Sequence, residues 1–318
     1  MVKISSQQVG FCVTAVAVSL LIASAATARP MRPAPIAAPV ANPAPQIDLS
    51  TPEGVVAANR KMGCDLRDGV AVTYYWAGDA YSRRQGEADK LLFRAEGMNI
   101  RQCKTVTDPV RGAGYKMVSR ELLIYRDART GEVLKKWTNP WTNEVVDVMH
   151  VANDPVNSAS YIKGRDGQPV RWTGSIIGNM WMSSATVPLF YSNPLAGAYQ
   201  AEIGGNYHAT EMFNFSGDLA NLLNPAIPTA QASVAWSRVS DWLPWMKMSG
   251  REGQIYFNTI GRKLDNFDQM PASLRTELSL NYPNYVAPPP LDDTRPNETS
   301  WSHFKDVREG RKVPPVRN

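Results

Sequence analysis

The chain has 318 residues, a formal net charge of +5, 20% charged residues and 43% hydrophobic residues, enough apolar content for a packed core. Lys and Arg are interleaved with Asp and Glu in no basic run, which argues against a nucleic-acid partner. With three cysteines and three histidines, and neither CxxC nor HxxxH spacing, the chain offers no metal site. No glycine-rich phosphate loop, dinucleotide fingerprint or G-x-S-x-G elbow occurs either, so no cofactor is expected.

The N-terminus carries Lys3, an apolar run from Phe11 to Ala26, and the small-x-small pattern Ala26-Thr27-Ala28. That order predicts a signal peptide over 1–28 and export to the periplasm or beyond. The apolar run is shorter than the roughly 20 residues a membrane span needs, and no second run follows, so no stable membrane insertion is expected after cleavage. An uncleaved anchor is the alternative. Residues 29–47 are rich in Pro and Ala and read as an extended linker. Cleavage removes Lys3 and no acid, leaving +4, with Cys64 and Cys103 as the remaining cysteines. In an oxidising compartment the two could form a single disulfide; two buried thiols are the other reading.

Residues 48–290 read as one domain of about 240 residues. A helix is predicted over 53–62, where Thr51-Pro52 supplies a cap and a first-turn proline, with shorter ones over 218–223 and 271–279. Between them lie β-branched and aromatic runs at 70–76, 90–97, 98–106, 115–126, 132–138, 144–151, 170–177, 180–184, 206–215, 232–240 and 254–262. About eleven strands with short turns predict an antiparallel, mainly β fold with a few short helices. Closure or strong curvature would remove long edges, so a closed barrel or a strongly curved sheet, lipocalin-like in general architecture, is the expected form, with a sandwich as the alternative. Residues 291–318 form a polar tail whose Trp301, His303 and Phe304 could dock.

Strand parity puts Tyr207, Glu211, Phe213 and Phe215 on one face, with His208, Thr210, Met212 and Asn214 on the other. Trp236 and Arg238 share a face with Val234. Charge beside bulky aromatics is what lines a ligand cavity. Near the middle of the chain, His150, Asn153, Asp154 and Asn157 crowd one short polar segment. They read either as a turn that closes a strand before Pro155 or as a site in which His150 titrates with Asp154 as its partner. In the second case Glu211 or Arg238 would stand opposite, with Asn153 and Asn157 contacting ligand. Trp236, Trp242, Trp245 and Met246 offer adaptable apolar contact, either to a ligand or to one another in the core.

The blocks Glu96-Gly97-Met98-Asn99, Arg120-Glu121, Tyr125-x-Asp127, Trp137-x-Asn139-Pro140 and His150-Val151-Ala152-Asn153-Asp154-Pro155 resemble the domain of unknown function family 1838. Trp242-Leu243-Pro244-Trp245-Met246 and Gly261-x-Lys263-Leu264 fit the same family. The resemblance runs from about Leu49 to Pro288 and implies no activity, so no site residue can be carried over from it. The expectation is an exported protein that binds a small, largely apolar molecule. A cofactor-independent lyase, isomerase or hydrolase is the enzyme alternative, and a structural envelope protein the third.

Overall fold

The computed structural model describes residues 46–192 and 205–312. The signal peptide expected over 1–28 lies outside the described residues, as does nearly all of the 29–47 linker. The first element is α1 (Pro52–Gly63), whose Thr51 hydroxyl accepts from the Gly54 amide at 3.1 Å while Pro52 occupies the first turn. At its other end the buried Lys263 ammonium donates to the carbonyls of Lys61 at 2.6 Å and Cys64 at 2.9 Å, satisfying oxygens that a helix C-terminus leaves orphaned. Cys64 is disulfide-bonded to Cys103, which ties α1 to the sheet.

The strands are β1 (Val72–Arg83), β2 (Leu91–Asp108), β3 (Gly112–Arg126), β4 (Lys136–Thr138), β5 (Val145–Asp147), β6 (Val151–Asn153), β7 (Ser158–Tyr161), β8 (Ser175–Ile177), β9 (Met180–Ser192), β10 (Asn206–Asp218), β11 (Ser233–Ser240) and β12 (Gln254–Lys263). Three further α-helices follow among the described residues: α2 (Leu219–Leu223), α3 (Ala272–Asn281) and α4 (Ser300–Arg308). One large antiparallel sheet runs in the order β6-β3-β2-β1-β12-β11-β10-β9-β8, with β7 also on the edge of β3. Two meanders, β1 to β3 and β8 to β12, therefore meet where the first strand pairs with the last. β4 and β5 form a separate two-stranded ribbon.

The fold is mainly β and antiparallel, as the strand signals predict, but it is not the expected closed barrel. No pairing joins β6 to β8 among the described residues, so the sheet is open. The outermost strands β6 and β8 have three residues each, and β8 pairs only Met180, Trp181 and Met182 of the 13-residue β9. A second correction concerns 90–106, read as two strands broken at Gly97. β2 is one strand of 18 residues there. Gly97 is a close approach, since a Cβ would lie 2.4 Å from Cε2 of Trp76, the residue facing it on β1.

The two faces of the sheet are covered differently. On the outer face, Met98, Ile100, Leu122 and Ile124 pack under α3 through Leu274 and Leu278. The inner face carries two apolar clusters. One unites Phe93, Tyr125, Trp236 and Phe257 with the 242–246 segment and with Trp301 and Phe304 of α4. The other joins Tyr74, Trp181 and Val234 to Ala58 of α1 and Leu222 of α2. So the C-terminal segment does dock: Trp301 and Phe304 are core residues.

Candidate functional site

Small side chains on the inner face of the central strands make room between these clusters. Ala95 and Gly97 on β2, Gly78 and Ala80 on β1, and Gly261 on β12 leave the floor low, and the indole of Trp76 lies across Gly97. One row of the sheet reads Leu123, Gly97, Trp76, Gly261, Val234, Phe215. The next reads Asn153, Glu121, Asn99, Tyr74, Lys263. Above them opens a cleft of about 70 Å³ with walls of Tyr74, Trp76, Leu123, Phe213, Phe215 and Trp236.

Charges from strands far apart in the sheet meet in this cleft. Glu121 on β3, Asn99 and Arg101 on β2, Glu211 on β10 and Arg238 on β11 all line it, with Ser300 of α4 at its border. β3 and β10 are five positions apart in the strand order, yet residues of both border the same cleft. Arg238 donates to Glu211 at 3.2 Å and to the Tyr207 hydroxyl at 3.0 Å. Burial opposes the guanidinium charge, but Tyr207 and Glu211 outweigh it and hold Arg238 more firmly protonated than usual.

Glu121 behaves differently. Its carboxyl makes no hydrogen bond among the described residues, and burial, helped by the nearby Glu211 charge, pushes its pKa up from 4.5 to about 7. Arg238 and Arg101 act against that rise without cancelling it. Arg101 donates from Nε to Asn99 Oδ1 at 2.7 Å and lies over the Tyr74 ring, 5.0 Å from its centroid. It forms no ion pair among the described residues, although burial disfavours its charge. Chemically, the cleft can hold an apolar body, present hydrogen-bond donors and exchange a proton near neutral pH.

The residues singled out from sequence separate in space. Glu211, Arg238 and Trp236 line the cleft on the faces that parity assigns them. His150 is buried elsewhere: its Nδ1 accepts from the Tyr125 amide at 3.0 Å, just beyond the β3 residues that β6 pairs. The imidazole thereby does the work of a strand carbonyl, and its proton sits on Nε2. It and Arg238 both border a small void of about 20 Å³. Asp154 faces away toward Arg120 at 2.9 Å and Arg295 at 2.7 Å, ahead of the cis Asp154–Pro155 bond. Asn157 Oδ1 accepts from the Ser119 amide at 3.2 Å, and its backbone is paired with the Asn297 side chain.

Asn153 is buried opposite Glu121 in the β3–β6 ladder, and its Oδ1 has no hydrogen-bond partner among the described residues. Trp242, Trp245 and Met246 are buried in the inner-face core, where Trp245 packs 5.8 Å from Phe93 and 5.6 Å from Tyr125, ring centre to ring centre. They wall off one end of the inner face. His208 is exposed beside Asp241 on the other side of β10 from Glu211.

Sequence reading missed Glu121, Arg101, Asn99 and the two aromatics of β1. The parity used on β10 would have found them: 97, 99 and 101 alternate with 98 and 100, and Glu121 faces Asn99 across the β2–β3 ladder. A larger, shallower groove of about 940 Å³ crosses the outer face past Ser184, Asn214 and Ile260. It gathers no buried charge and is not the candidate. Among the described residues no group of three His, Cys, Asp or Glu side chains is placed to hold a metal, and no helix is long and apolar enough to cross a membrane.

The family model described as "Protein of unknown function (DUF1838)" matches residues 69–308, a span that takes in every strand and α4. No curated protein matches the chain.

Proposed function

The chain belongs to the DUF1838 family, and we propose that this member is an exported protein that binds a small, largely apolar molecule in the inner-face cleft. The observation that carries the proposal is an aromatic-walled space left unfilled between two well-packed apolar clusters, with charged groups converging on it. A core built only for stability would close such a gap, because an empty space forfeits packing energy and unpaired buried charge costs more. Export is supported by the leader-like N-terminus and by the Cys64–Cys103 bond, which suits an oxidising compartment.

A second reading is favoured by one group. Glu121, with its pKa near 7, is suited to general acid/base work, and Glu211 and Arg238 stand across the cleft from it. On that reading the chain is a cofactor-independent lyase, isomerase or hydrolase with Glu121, not His150, as its proton-transfer group. Native mass spectrometry of the chain purified without denaturant tests the binding reading. A retained small molecule is expected on the wild type and on His208→Ala, whose side chain lies outside the cleft. Val234→Phe, which fills the cleft, should lose it while keeping a cooperative unfolding transition. Retention by Val234→Phe would place the bound molecule elsewhere.

A further inference from the structure

Arg101 gives this cleft a chemical preference. Its guanidinium is held from two sides, by the 2.7 Å bond from Nε to Asn99 Oδ1 and by the Tyr74 ring beneath it. Both contacts leave the two terminal nitrogens uncommitted, and among the described residues they have neither hydrogen-bond nor ion-pair partner. A guanidinium fixed at Nε and on one face offers its remaining edge as a planar fork, the geometry that takes a carboxylate with two parallel hydrogen bonds.

The surrounding charges do not pre-empt that edge. Glu211 is already paired with Arg238 at 3.2 Å, and each largely cancels the other. Glu121 is the remaining carboxyl in the cleft, and burial beside Glu211 disfavours its ionised form. Arg101 is thus the cleft guanidinium that no ion pair holds among the described residues. Leaving a partly desolvated cation unpaired is unfavourable, and a ligand anion would relieve it.

Resting on the binding reading above, we infer that the ligand is a small carboxylic acid: its carboxylate sits on the Arg101 fork and its apolar body lies against Trp76, Phe213 and Trp236. The enclosed volume of about 70 Å³ suits a short branched or single-ring body rather than a long chain.

The test is saturation-transfer NMR and calorimetry with two matched sets of probes. One set is 3-methylbutanoate, 3-methylbutanamide and 3-methylbutylamine; the other is phenylacetate, phenylacetamide and phenethylamine. In at least one set the carboxylate is expected to bind about tenfold or more tightly than the amide, and the amine most weakly. Arg101→Gln should bring carboxylate and amide to within about twofold of each other while leaving amide binding and the melting temperature near wild type. Arg101→Lys, a point charge without the fork, should recover only part of the preference. If the amide or the amine binds as well as the acid, or if Arg101→Gln keeps the preference, the carboxylate inference fails while the cleft remains a binding site. If none of the six binds, both readings fall.

Discussion

Glu121 and Gly97 show how single residues set up the cleft. In the folded chain Glu121 has a pKa near 7 against 4.5 for the free side chain, so between those values the folded protein keeps a proton that the unfolded chain releases. Its contribution to stability is fully present below about pH 4.5 and is lost as pH rises through about 7. Denaturant midpoints measured from pH 4.5 to 8 should therefore fall with rising pH more steeply for the wild type than for Glu121→Gln, and the variant should be the more stable of the two above pH 7. Equal slopes would mean that Glu121 ionises normally. Gly97→Ala places a methyl group within 2.4 Å of the Trp76 ring and should cost about 1–3 kcal/mol, read by chemical denaturation. The strand signals divide 90–106 after Gly97. The need for glycine there becomes visible only when the facing residue, Trp76, is known.

At the scale of elements, much of the architecture was written locally. The Thr51-Pro52 start of α1, the alternation in β10 and β11, and the turns at Asp127 and Asn143 all rest on short-range chemistry, although β4 beyond the Asp127 turn pairs with β5 and not with β3. The polar run from His150 to Asn157 was legible as a dense cluster, but what it serves was not. His150 completes the β3 ladder, Asp154 joins Arg120 and Arg295, and Asn157 holds Ser119, so residues close in sequence serve different partners. Those partners lie far along the chain, as with Arg295, and no local pattern announces them. The tryptophan-rich 242–246 segment proves to be a plug for one end of the inner face, with Trp245 wedged among Phe93, Tyr125 and Trp137. Trp245→Ala should cost about 3–5 kcal/mol, whereas Phe190→Ala, an exposed aromatic on β9, should change stability by no more than about 0.5 kcal/mol. Comparable losses at the two positions would contradict the assignment of Trp245 to the core.

For the whole molecule, the strand count was readable and closure was not, because counting strands says nothing of which edges meet. The joining of two meanders through β1 and β12 makes the middle of the sheet the junction of its first and last described strands. Cys64–Cys103 ties the end of α1 to β2 by closing a loop with a sequence separation of 39, worth about 4 kcal/mol in the chain-entropy picture. Reduction should lower the unfolding midpoint accordingly, and Cys64→Ser with Cys103→Ser should reproduce the loss without added reductant. The cleft lies at the same junction, which is why residues from β1, β2, β3, β10 and β11 reach it. The most direct test of its role is the set of indole N–H resonances in a nitrogen-15 correlation spectrum, assigned by single Trp→Phe variants, during titration with phenylacetate and 3-methylbutanoate. Ligand in the cleft should move the signals of Trp76 and Trp236 first and leave Trp141, whose indole N–H donates to Glu87 at 2.9 Å outside the cleft, in place. Movement of Trp141 with Trp76 and Trp236 unchanged, or no movement at all, would contradict a binding site in this cleft.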